Sequence, residues 1–286
     1  MTTYRLPTDA RPPLQLRTFT ADLAPDAWPP EPVGDSTPAL AAACREITHE
    51  LREGRGWTVV DTGLADLTDD GLCSATWNLF TALCRPVPQY RTGELLYPVE
   101  VSSAPTLGSS HYSSSSRTGG YHTDGTLLDV TPHVAMLAGL STADEGGETV
   151  LVDGHALVDR MEHTAPELLG LLRSPHPFHS GDGDHDPVVE HEIVEASADR
   201  PRIRYLRRYI EQGHARRGGE MDEKLTAALD AWDELIAAPE LRTPVLIRRG
   251  QILFWDNFRF VHGRTPFVER TARRRLRRAY GVITAP

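Results

Sequence analysis

The sequence places a histidine and an aspartate two residues apart, in His122-Thr123-Asp124. In a β-strand, residues two apart project from the same face, so this imidazole and this carboxylate can converge on one point. Together they supply two of the three ligands of the 2-His-1-carboxylate site, which holds non-haem Fe(II) and leaves coordination positions open. The pair alone is a weak signal, because the chain has 12 histidines and 40 acidic residues.

A second group of candidate residues lies near the C-terminus. His262 follows an apolar segment, and an arginine-rich run, RTARRRLRRAYGVI, comes after it. Strand alternation gives one mixed face and one all-arginine face: the first carries Arg274, Leu276, Arg278, Tyr280 and Val282, and the second carries Arg273, Arg275 and Arg277. We predict that Arg274 and Arg278 point inward, where an arginine needs an anion such as a carboxylate, and that the all-arginine face lies in water.

A hydroxyl could assist such an arginine. Thr149 stands in the run GGETVLVDG, just before an apolar stretch. One interpretation is simply a turn that leads into a strand. The functional interpretation is that the Thr149 hydroxyl donates to the same carboxylate that the inward arginine binds.

Together these motifs resemble the taurine dioxygenase and clavaminate synthase-like group of Fe(II)/2-oxoglutarate-dependent oxygenases, over roughly residues 56–284. The resemblance implies that His122, Asp124 and His262 bind Fe(II). It also implies that one arginine holds the C5 carboxylate of 2-oxoglutarate, that a threonine assists it, and that a further arginine supports it or contacts substrate. These three positions are Arg274, Thr149 and Arg278, with Arg273 as the alternative to Arg274, because the spacing after the distal histidine varies in the family.

The implied activity is oxygenation of a small molecule, with O2 and 2-oxoglutarate consumed and succinate and CO2 released. Hydroxylation of an unactivated C–H bond is the leading outcome, and desaturation or ring closure are alternatives that use the same oxidant. The resemblance suggests an amino acid, a carnitine-like compound or a natural-product intermediate as substrate. Halogenation is not expected, because the halogenases of the family lack the carboxylate that Asp124 supplies.

The segment 102–121, which contains SSHYSSSSRTGG, immediately precedes the first histidine of the motif. A long segment without regular structure in a compact domain is usually disordered or covers an active site. We predict that it is a lid over the substrate, with Ser116, Arg117 and Tyr121 as substrate contacts. The alternative is a surface loop without a role.

The surrounding elements must position these residues. Many short strands with a few helices predict a mainly β fold with flanking helices, of sandwich or jelly-roll type. The resemblance narrows this to a distorted double-stranded β-helix (jelly-roll, cupin-like) in a single domain over 1–286, with 1–35 as an extended N-terminal arm. Helices are predicted from Asp35-Ser36-Thr37-Pro38 onward, over about 68–84 with Thr68 or Asp69 as the cap, and over 155–173 and 221–238. Strands are predicted over 56–63, 122–130, 133–141, 147–153, 201–210, 243–257 and 274–283.

Composition excludes several classes of protein. The 30 basic and 40 acidic residues give a net charge of −10, which argues against a nucleic-acid partner. No apolar run approaches the ~20 residues that cross a bilayer, and the N-terminus lacks a secretory signal, so we expect no membrane partner and a cytoplasmic location. The three cysteines form no CxxC pair, which argues against a disulfide framework.

Other functions compete with the oxygenase. The same His/Asp/His set could hold Zn(II) for hydrolysis, but this would explain neither the inward arginines nor Thr149. A non-catalytic jelly-roll protein that binds a metal or a small molecule is a second alternative. The C-terminal arginines could instead contact RNA, against which the acidic net charge and the alternation of the arginines both argue.

Overall fold

The computed structural model describes residues 3–16, 19, 24, 27–30, 36–90, 93–101, 119–128, 130–181, 187–196, 200–219 and 221–284. Its strands are β1 (Thr3–Arg5), β2 (Trp57–Asp61), β3 (Cys84–Val87), β4 (Tyr97–Val99), β5 (Gly119–His122), β6 (Val134–Ser141), β7 (Glu145–Gly146), β8 (Thr149–Asp153), β9 (Pro175–Phe178), β10 (Val189–Glu192), β11 (Val194–Glu195), β12 (Arg202–Ile203), β13 (Arg242–Val245), β14 (Gln251–Asp256), β15 (Phe260–Arg264), β16 (Phe267–Val268) and β17 (Arg275–Ile283). Its α-helices are α1 (Pro38–Arg52), α2 (Asp69–Leu83), α3 (Gly154–Thr164), α4 (Pro166–Leu172), α5 (Arg207–Arg216) and α6 (Glu223–Ala237).

Two sheets face each other. The larger sheet has the strand order β1-β2-β14-β6-β17-β3, with β4 also paired to β17, and the smaller sheet has the order β13-β8-β15-β5. An apolar layer lies between them, to which the larger sheet contributes Leu253 and Trp255 and the smaller sheet contributes Leu151 and Val245. The predicted mainly β fold with helices is confirmed, as two sheets with an apolar layer between them.

Helices cover the outer face of each sheet. Side chains of α1 and α2, such as Ile47 and Phe80, pack with residues of the larger sheet such as Phe254. Helices α3 to α6 cover the smaller sheet, where Trp232 of α6 shares a cluster with Val261 of β15. None of the helices in the described ranges is long and apolar enough to cross a membrane.

The predicted helix starts of α1 and α2 are confirmed by their caps. The Thr37 side chain accepts a hydrogen bond from the N–H of Leu40, and the Thr68 side chain accepts one from the N–H of Gly71. Such caps satisfy backbone donors that have no partner within the helix.

Four of the element predictions are wrong. The predicted strand over 122–130 is not formed beyond His122, where β5 ends, and the predicted strand over 243–257 is divided into β13 and β14.

Residues 201–210, predicted as a strand, form only the short β12 and then enter α5, which buries Ile210 and Gly213 on one side. The predicted helix over 155–173 is divided into α3 and α4 at Pro166, whose ring and missing N–H disfavour a continuous helix.

The predicted extended arm differs from what the described part of residues 1–35 shows. Its first strand pairs in parallel with β2, and two short 3-10 turns follow over Thr8–Ala10 and Pro12–Gln15. Leu6 and Leu14 are buried in the core on the outer side of the larger sheet, so apolar burial fixes this segment in place.

The predicted all-arginine face lies in water only at Arg273, which precedes β17. Arg277 is only 4% exposed and donates to the carbonyl of Leu276, and Arg275 pairs with Asp69 at 2.5 Å. Asp69 begins α2, which packs on this side of the larger sheet and therefore covers the face that alternation assigned to solvent.

Candidate active site

Three potential metal ligands converge between the two sheets. His122 ends β5 and lies opposite His262 of β15, and Asp124 follows in the turn after β5. The ligand atoms of the three side chains lie within 4.8 Å of one another. Asp124 is therefore not in a strand with His122, as alternation assumed, but the turn brings its carboxylate to the same point.

The imidazoles both face the Asp124 carboxylate. His122 Nε2 lies 3.6 Å from Asp124 Oδ1, and His262 Nε2 lies 3.4 Å from Asp124 Oδ2. The other ring nitrogen of His122, Nδ1, lies 2.9 Å from the carbonyl of Gly120. A backbone carbonyl in that position accepts from Nδ1–H, which fixes the tautomer and leaves the Nε2 lone pair available to a metal ion.

Asn257 fixes the main chain of Asp124. Its Oδ1 accepts from the N–H of Asp124 at 2.8 Å, and its Nδ2 donates to the carbonyls of Asp124 and Pro132 at 2.9 and 3.0 Å. Gly125 adopts φ +70°, and a Cβ there would lie 2.6 Å from Pro132 Cδ, so the turn requires glycine. No residue type or spacing in the sequence indicated that Asn257 belongs to the site.

Tyr280 and Arg278 of β17 approach the same carboxylate from the larger sheet. The Tyr280 hydroxyl donates to Asp124 Oδ1 at 2.5 Å, and Arg278 Nη1 lies 3.8 Å from that oxygen. Arg278 also donates from Nε to Gln89 Oε1 at 2.7 Å and from Nη2 to the Tyr90 hydroxyl at 2.9 Å. Alternation predicts that Tyr280 shares the face of Arg278, but nothing in the sequence indicated a role for its hydroxyl.

The protonation states suit a metal site. Burial alone raises the pKa of Asp124, but the neighbouring imidazoles of His262 and His122 and the charge of Arg278 outweigh it and hold that pKa well below its usual range. Burial lowers the pKa of His262 to about 3. At neutral pH the carboxylate is therefore ionised and the His262 imidazole is neutral, which are the forms that bind metal ions.

A second polar group lies further along the same strands. Thr149 of β8 pairs in register with Arg264 of β15, two residues beyond His262. The Thr149 hydroxyl is buried without a hydrogen-bond partner. Arg274 is buried as well and donates from Nε to the carbonyl of Gly147 at 3.0 Å.

The buried positive charge of Arg274, next to that of Arg264, favours binding of an anion. Burial and the neighbouring charge of Arg264 lower the pKa of Arg274 to about 9. A carboxylate placed between Arg274 and Thr149 would offset that desolvation and would accept the hydrogen bond of the Thr149 hydroxyl. Arg273, the alternative to Arg274, is exposed.

The donor set fits the metal predicted from the sequence. Two imidazoles and one carboxylate are the ligands of non-haem Fe(II) centres, and Asp124 Oδ2 is buried without a hydrogen-bond partner. An ion bound by these residues would satisfy that oxygen. Within the described ranges, His122, Asp124 and His262 form the cluster of histidine and acidic side chains that could hold a metal ion.

Comparison with protein families agrees with this geometry. The family model "Taurine catabolism dioxygenase TauD, TfdA family" matches residues 20–280. The chain belongs to the TauD/TfdA family. The resemblance drawn from the sequence motifs is thereby confirmed.

Curated relatives match about half of the chain. They are trimethyllysine dioxygenase of Meyerozyma guilliermondii (28% identical over 166 residues, 56% of this chain and 41% of that protein), uridine-5'-phosphate dioxygenase of a Streptomyces species (30% over 172, 55% and 58%) and FR-33289 synthase of Streptomyces rubellomurinus (28% over 157, 52% and 46%). The chain thus spans between 41% and 58% of the length of these relatives.

Two solved oxygenase structures share the fold of this TauD/TfdA chain. Asparagine oxygenase in complex with Fe(II), 2S,3S-3-hydroxyasparagine and succinate superposes with a TM-score of 0.69 at 15% identity, covering 98% of this chain and 93% of that one. The non-haem iron oxygenase OrfP in complex with Fe and alpha-ketoglutaric acid gives 0.67 at 16% identity, with the same coverage of both chains. At these identities the likeness concerns the fold.

Of the three substrate contacts predicted for this TauD/TfdA chain, only Tyr121 lies within the described residues. Ser116 and Arg117 lie outside the described residues, as does most of the segment 102–121. Tyr121 lies in β5, where alternation turns it away from the face of His122, and it packs in the apolar cluster under α3 to α6, with the Arg242 guanidinium 5.1 Å from its ring. Tyr121 is therefore not brought to the cluster of potential metal ligands.

Proposed function

We propose that the chain is an Fe(II)/2-oxoglutarate-dependent oxygenase that hydroxylates an unactivated C–H bond of a small molecule. The observation that carries this proposal is the His122, Asp124 and His262 cluster. Beside it, Thr149 lies on the face of the smaller sheet that carries His262, with its hydroxyl buried without a hydrogen-bond partner, and the buried Arg274 donates to Gly147, two residues before Thr149. A hydrolytic zinc site would need the three ligands but not the buried arginine. The products would be succinate, CO2 and the hydroxylated substrate.

We further propose that the two facing sheets form a distorted double-stranded β-helix and that residues 1–286 form one domain. The apolar layer between the sheets, with both outer faces covered by helices, supports this arrangement. We also propose that the protein is cytoplasmic.

The protein's own residues would act by binding and orientation. His122, Asp124 and His262 would hold Fe(II) without prior loss of a proton from His262 or Asp124, because the first is neutral and the second ionised at neutral pH. When bound, iron and 2-oxoglutarate supply the oxidising chemistry with O2, which no side chain can provide. Arg274 and Thr149 would bind the C5 carboxylate of 2-oxoglutarate, which would leave the 2-oxo acid at the other end of the molecule to face His122, Asp124 and His262.

The apolar layer would protect the reaction. Trp255 packs on the His262 ring at 4.8 Å between centroids, and Leu151 lies opposite His262 in the sheet pairing. Both residues are fully buried. They would exclude water from one side of the metal ligands and fix the imidazole in place.

The substrate class follows from the relatives. Asparagine oxygenase and trimethyllysine dioxygenase are named for amino acids, and two Streptomyces relatives are named for uridine-5'-phosphate and FR-33289. We propose that the substrate is an amino acid or a natural-product intermediate. Arg278, which retains 11% exposure beside Asp124, would contact the substrate or support the 2-oxoglutarate site.

Formation of succinate from 2-oxoglutarate tests this function. Purified protein with Fe(II), O2 and 2-oxoglutarate is incubated with a panel of amino acids and nucleotides, and succinate is quantified. We expect one substrate class to accelerate succinate formation and to gain one oxygen atom, and His262→Ala to abolish both. Iron-loaded protein that forms no succinate above the His262→Ala background, alone or with any substrate, would contradict the proposal.

A further inference from the structure

The two carboxylate oxygens of Asp124 have different surroundings. Oδ1 accepts the Tyr280 hydroxyl at 2.5 Å and lies 3.6 Å from His122 Nε2 and 3.8 Å from Arg278 Nη1. Oδ2 lies 3.4 Å from His262 Nε2 and is buried without a hydrogen-bond partner. One oxygen is therefore held by the protein, and the other is left for a ligand.

The groups that hold Oδ1 are themselves fixed. Tyr280 is 3% exposed and lies within β17, paired to Ala135 of β6 and to Val87 of β3. Its ring lies 4.9 Å from the guanidinium carbon of Arg278. Because both neighbouring strands fix the backbone of Tyr280, its hydroxyl reaches Asp124 from a constant position.

Arg278 is held from the opposite side. Gln89 and the Tyr90 hydroxyl accept from its Nε and Nη2, and the ring of Tyr97 lies 5.5 Å from its guanidinium carbon. The remaining nitrogen, Nη1, faces Asp124 Oδ1. Arg278 thus adds a fixed positive charge beside the oxygen that Tyr280 already holds.

We propose that Tyr280 is a positioning residue that makes Asp124 a single-oxygen metal ligand through Oδ2, with Arg278 in support. This inference rests on the proposed function. A carboxylate that binds iron through both oxygens takes two coordination positions, whereas one bound through a single oxygen leaves that second position for 2-oxoglutarate or O2. The hydrogen bond from Tyr280 to Oδ1 disfavours the first arrangement.

Co(II) binding without turnover tests this role. The affinity for Co(II) and the visible spectrum of bound Co(II) are compared for the wild type and Tyr280→Phe. Tyr205→Phe is the matched control, because Tyr205 is equally buried and its hydroxyl also donates to a carboxylate, Asp233, at 2.5 Å. We expect Tyr280→Phe to bind Co(II) about 10- to 100-fold more weakly, with an altered spectrum, and Tyr205→Phe to match the wild type.

Three results would overturn the inference. The first is wild-type affinity and spectrum in Tyr280→Phe. The second is an equal loss of affinity in Tyr205→Phe, which would show that loss of a buried hydroxyl acts through general structure. The third is a wild type that binds no Co(II), which would overturn the proposed function as well, whereas the first two leave that function intact.

Discussion

Asn257 holds Asp124 through both of its main-chain polar groups, with hydrogen bonds of 2.8 and 2.9 Å across 133 positions of sequence. The pairing joins the turn after β5 to the turn between β14 and β15. Because β15 carries His262, the same contact sets the position of Asp124 relative to the distal histidine. The geometry of the proposed metal site therefore depends on a residue that touches no metal.

Asn257→Ala should lower both the free energy of unfolding and the affinity for a metal ion. The variant leaves the N–H of Asp124 and the carbonyls of Asp124 and Pro132 without their side-chain partner, at a cost of about 3 kcal/mol in the free energy of unfolding. We expect Co(II) affinity to fall at least tenfold in the folded variant, measured below its unfolding midpoint.

Asn78→Ala is the matched control for Asn257→Ala. Asn78 is buried in α2, and its Nδ2 donates to the carbonyl of Leu14 at 3.0 Å, remote from the metal ligands in the fold. It should destabilise the protein without a change in Co(II) affinity. Unaltered Co(II) affinity in folded Asn257→Ala would contradict the positioning role of Asn257.

Thr149→Val should separate cofactor binding from stability. The Thr149 hydroxyl has no hydrogen-bond partner, so its replacement by a methyl group should leave the free energy of unfolding unchanged or slightly raised. If that hydroxyl donates to 2-oxoglutarate, affinity for 2-oxoglutarate should fall by about 10-fold, measured by titration of the Fe(II)-loaded protein.

The matched control for this change is Thr48→Val. Thr48 lies in α1, and its hydroxyl is likewise buried without a hydrogen-bond partner. It should match Thr149→Val in stability and the wild type in 2-oxoglutarate affinity. Equal 2-oxoglutarate affinities in the two variants would exclude Thr149 from the site.

Arg274→Met should abolish tight binding of 2-oxoglutarate and spare the metal. Loss of a charge-assisted hydrogen bond predicts a decrease in affinity of about 10- to 100-fold. Because burial opposes the charge of Arg274, its replacement by an apolar side chain of similar size should leave the ligand-free protein as stable as the wild type or more so. Isothermal titration and thermal unfolding measure the two effects.

Arg273→Met serves as the control, since Arg273 is exposed and neighbours Arg274 in sequence. It should bind 2-oxoglutarate as the wild type does. A loss of affinity in Arg273→Met, with none in Arg274→Met, would reverse the assignment of the two arginines.

Asp256 should make stability depend on pH. Burial raises its pKa to about 6, although the N–H of Phe258 and the charge of Arg259 oppose this. Since the folded state binds the proton more tightly than the unfolded chain, this stabilising contribution is complete below about pH 4 and is lost as the pH rises through 6.

Asp256→Asn should remove that dependence. An asparagine Oδ1 can still accept from the N–H of Phe258, as Asp256 Oδ1 does at 2.9 Å, so the turn should be retained. At pH 8 we expect the variant to be more stable than the wild type by on the order of 2–3 kcal/mol, measured by urea unfolding. Stability curves that run parallel from pH 4 to 8 would contradict this account.

Residue types and spacing indicated the His122 and Asp124 pair, and the family resemblance added His262 as the third candidate ligand. Alternation along a predicted strand indicated that Arg274 points inward. Both signals are local, so a single sequence carries them. The mainly β architecture follows from short apolar runs in the same way.

The contacts that position these residues could not be predicted. Tyr280 meets Asp124 across 156 positions of sequence, and neither residue type by itself indicates such a pairing. Arg277 is buried because α2 covers it, and alternation cannot show which face of a strand a helix will cover. Tertiary packing decides both outcomes.

Anaerobic visible absorption tests the central claim most directly. The metal-free protein is titrated with Fe(II) and then with 2-oxoglutarate, beside Asp124→Ala and Arg274→Met. We predict a new metal-to-ligand charge-transfer band when 2-oxoglutarate is added to the wild type, no band in Asp124→Ala, and a band in Arg274→Met only at much higher 2-oxoglutarate. Wild-type protein that binds Fe(II) but shows no band at saturating 2-oxoglutarate would contradict the assignment.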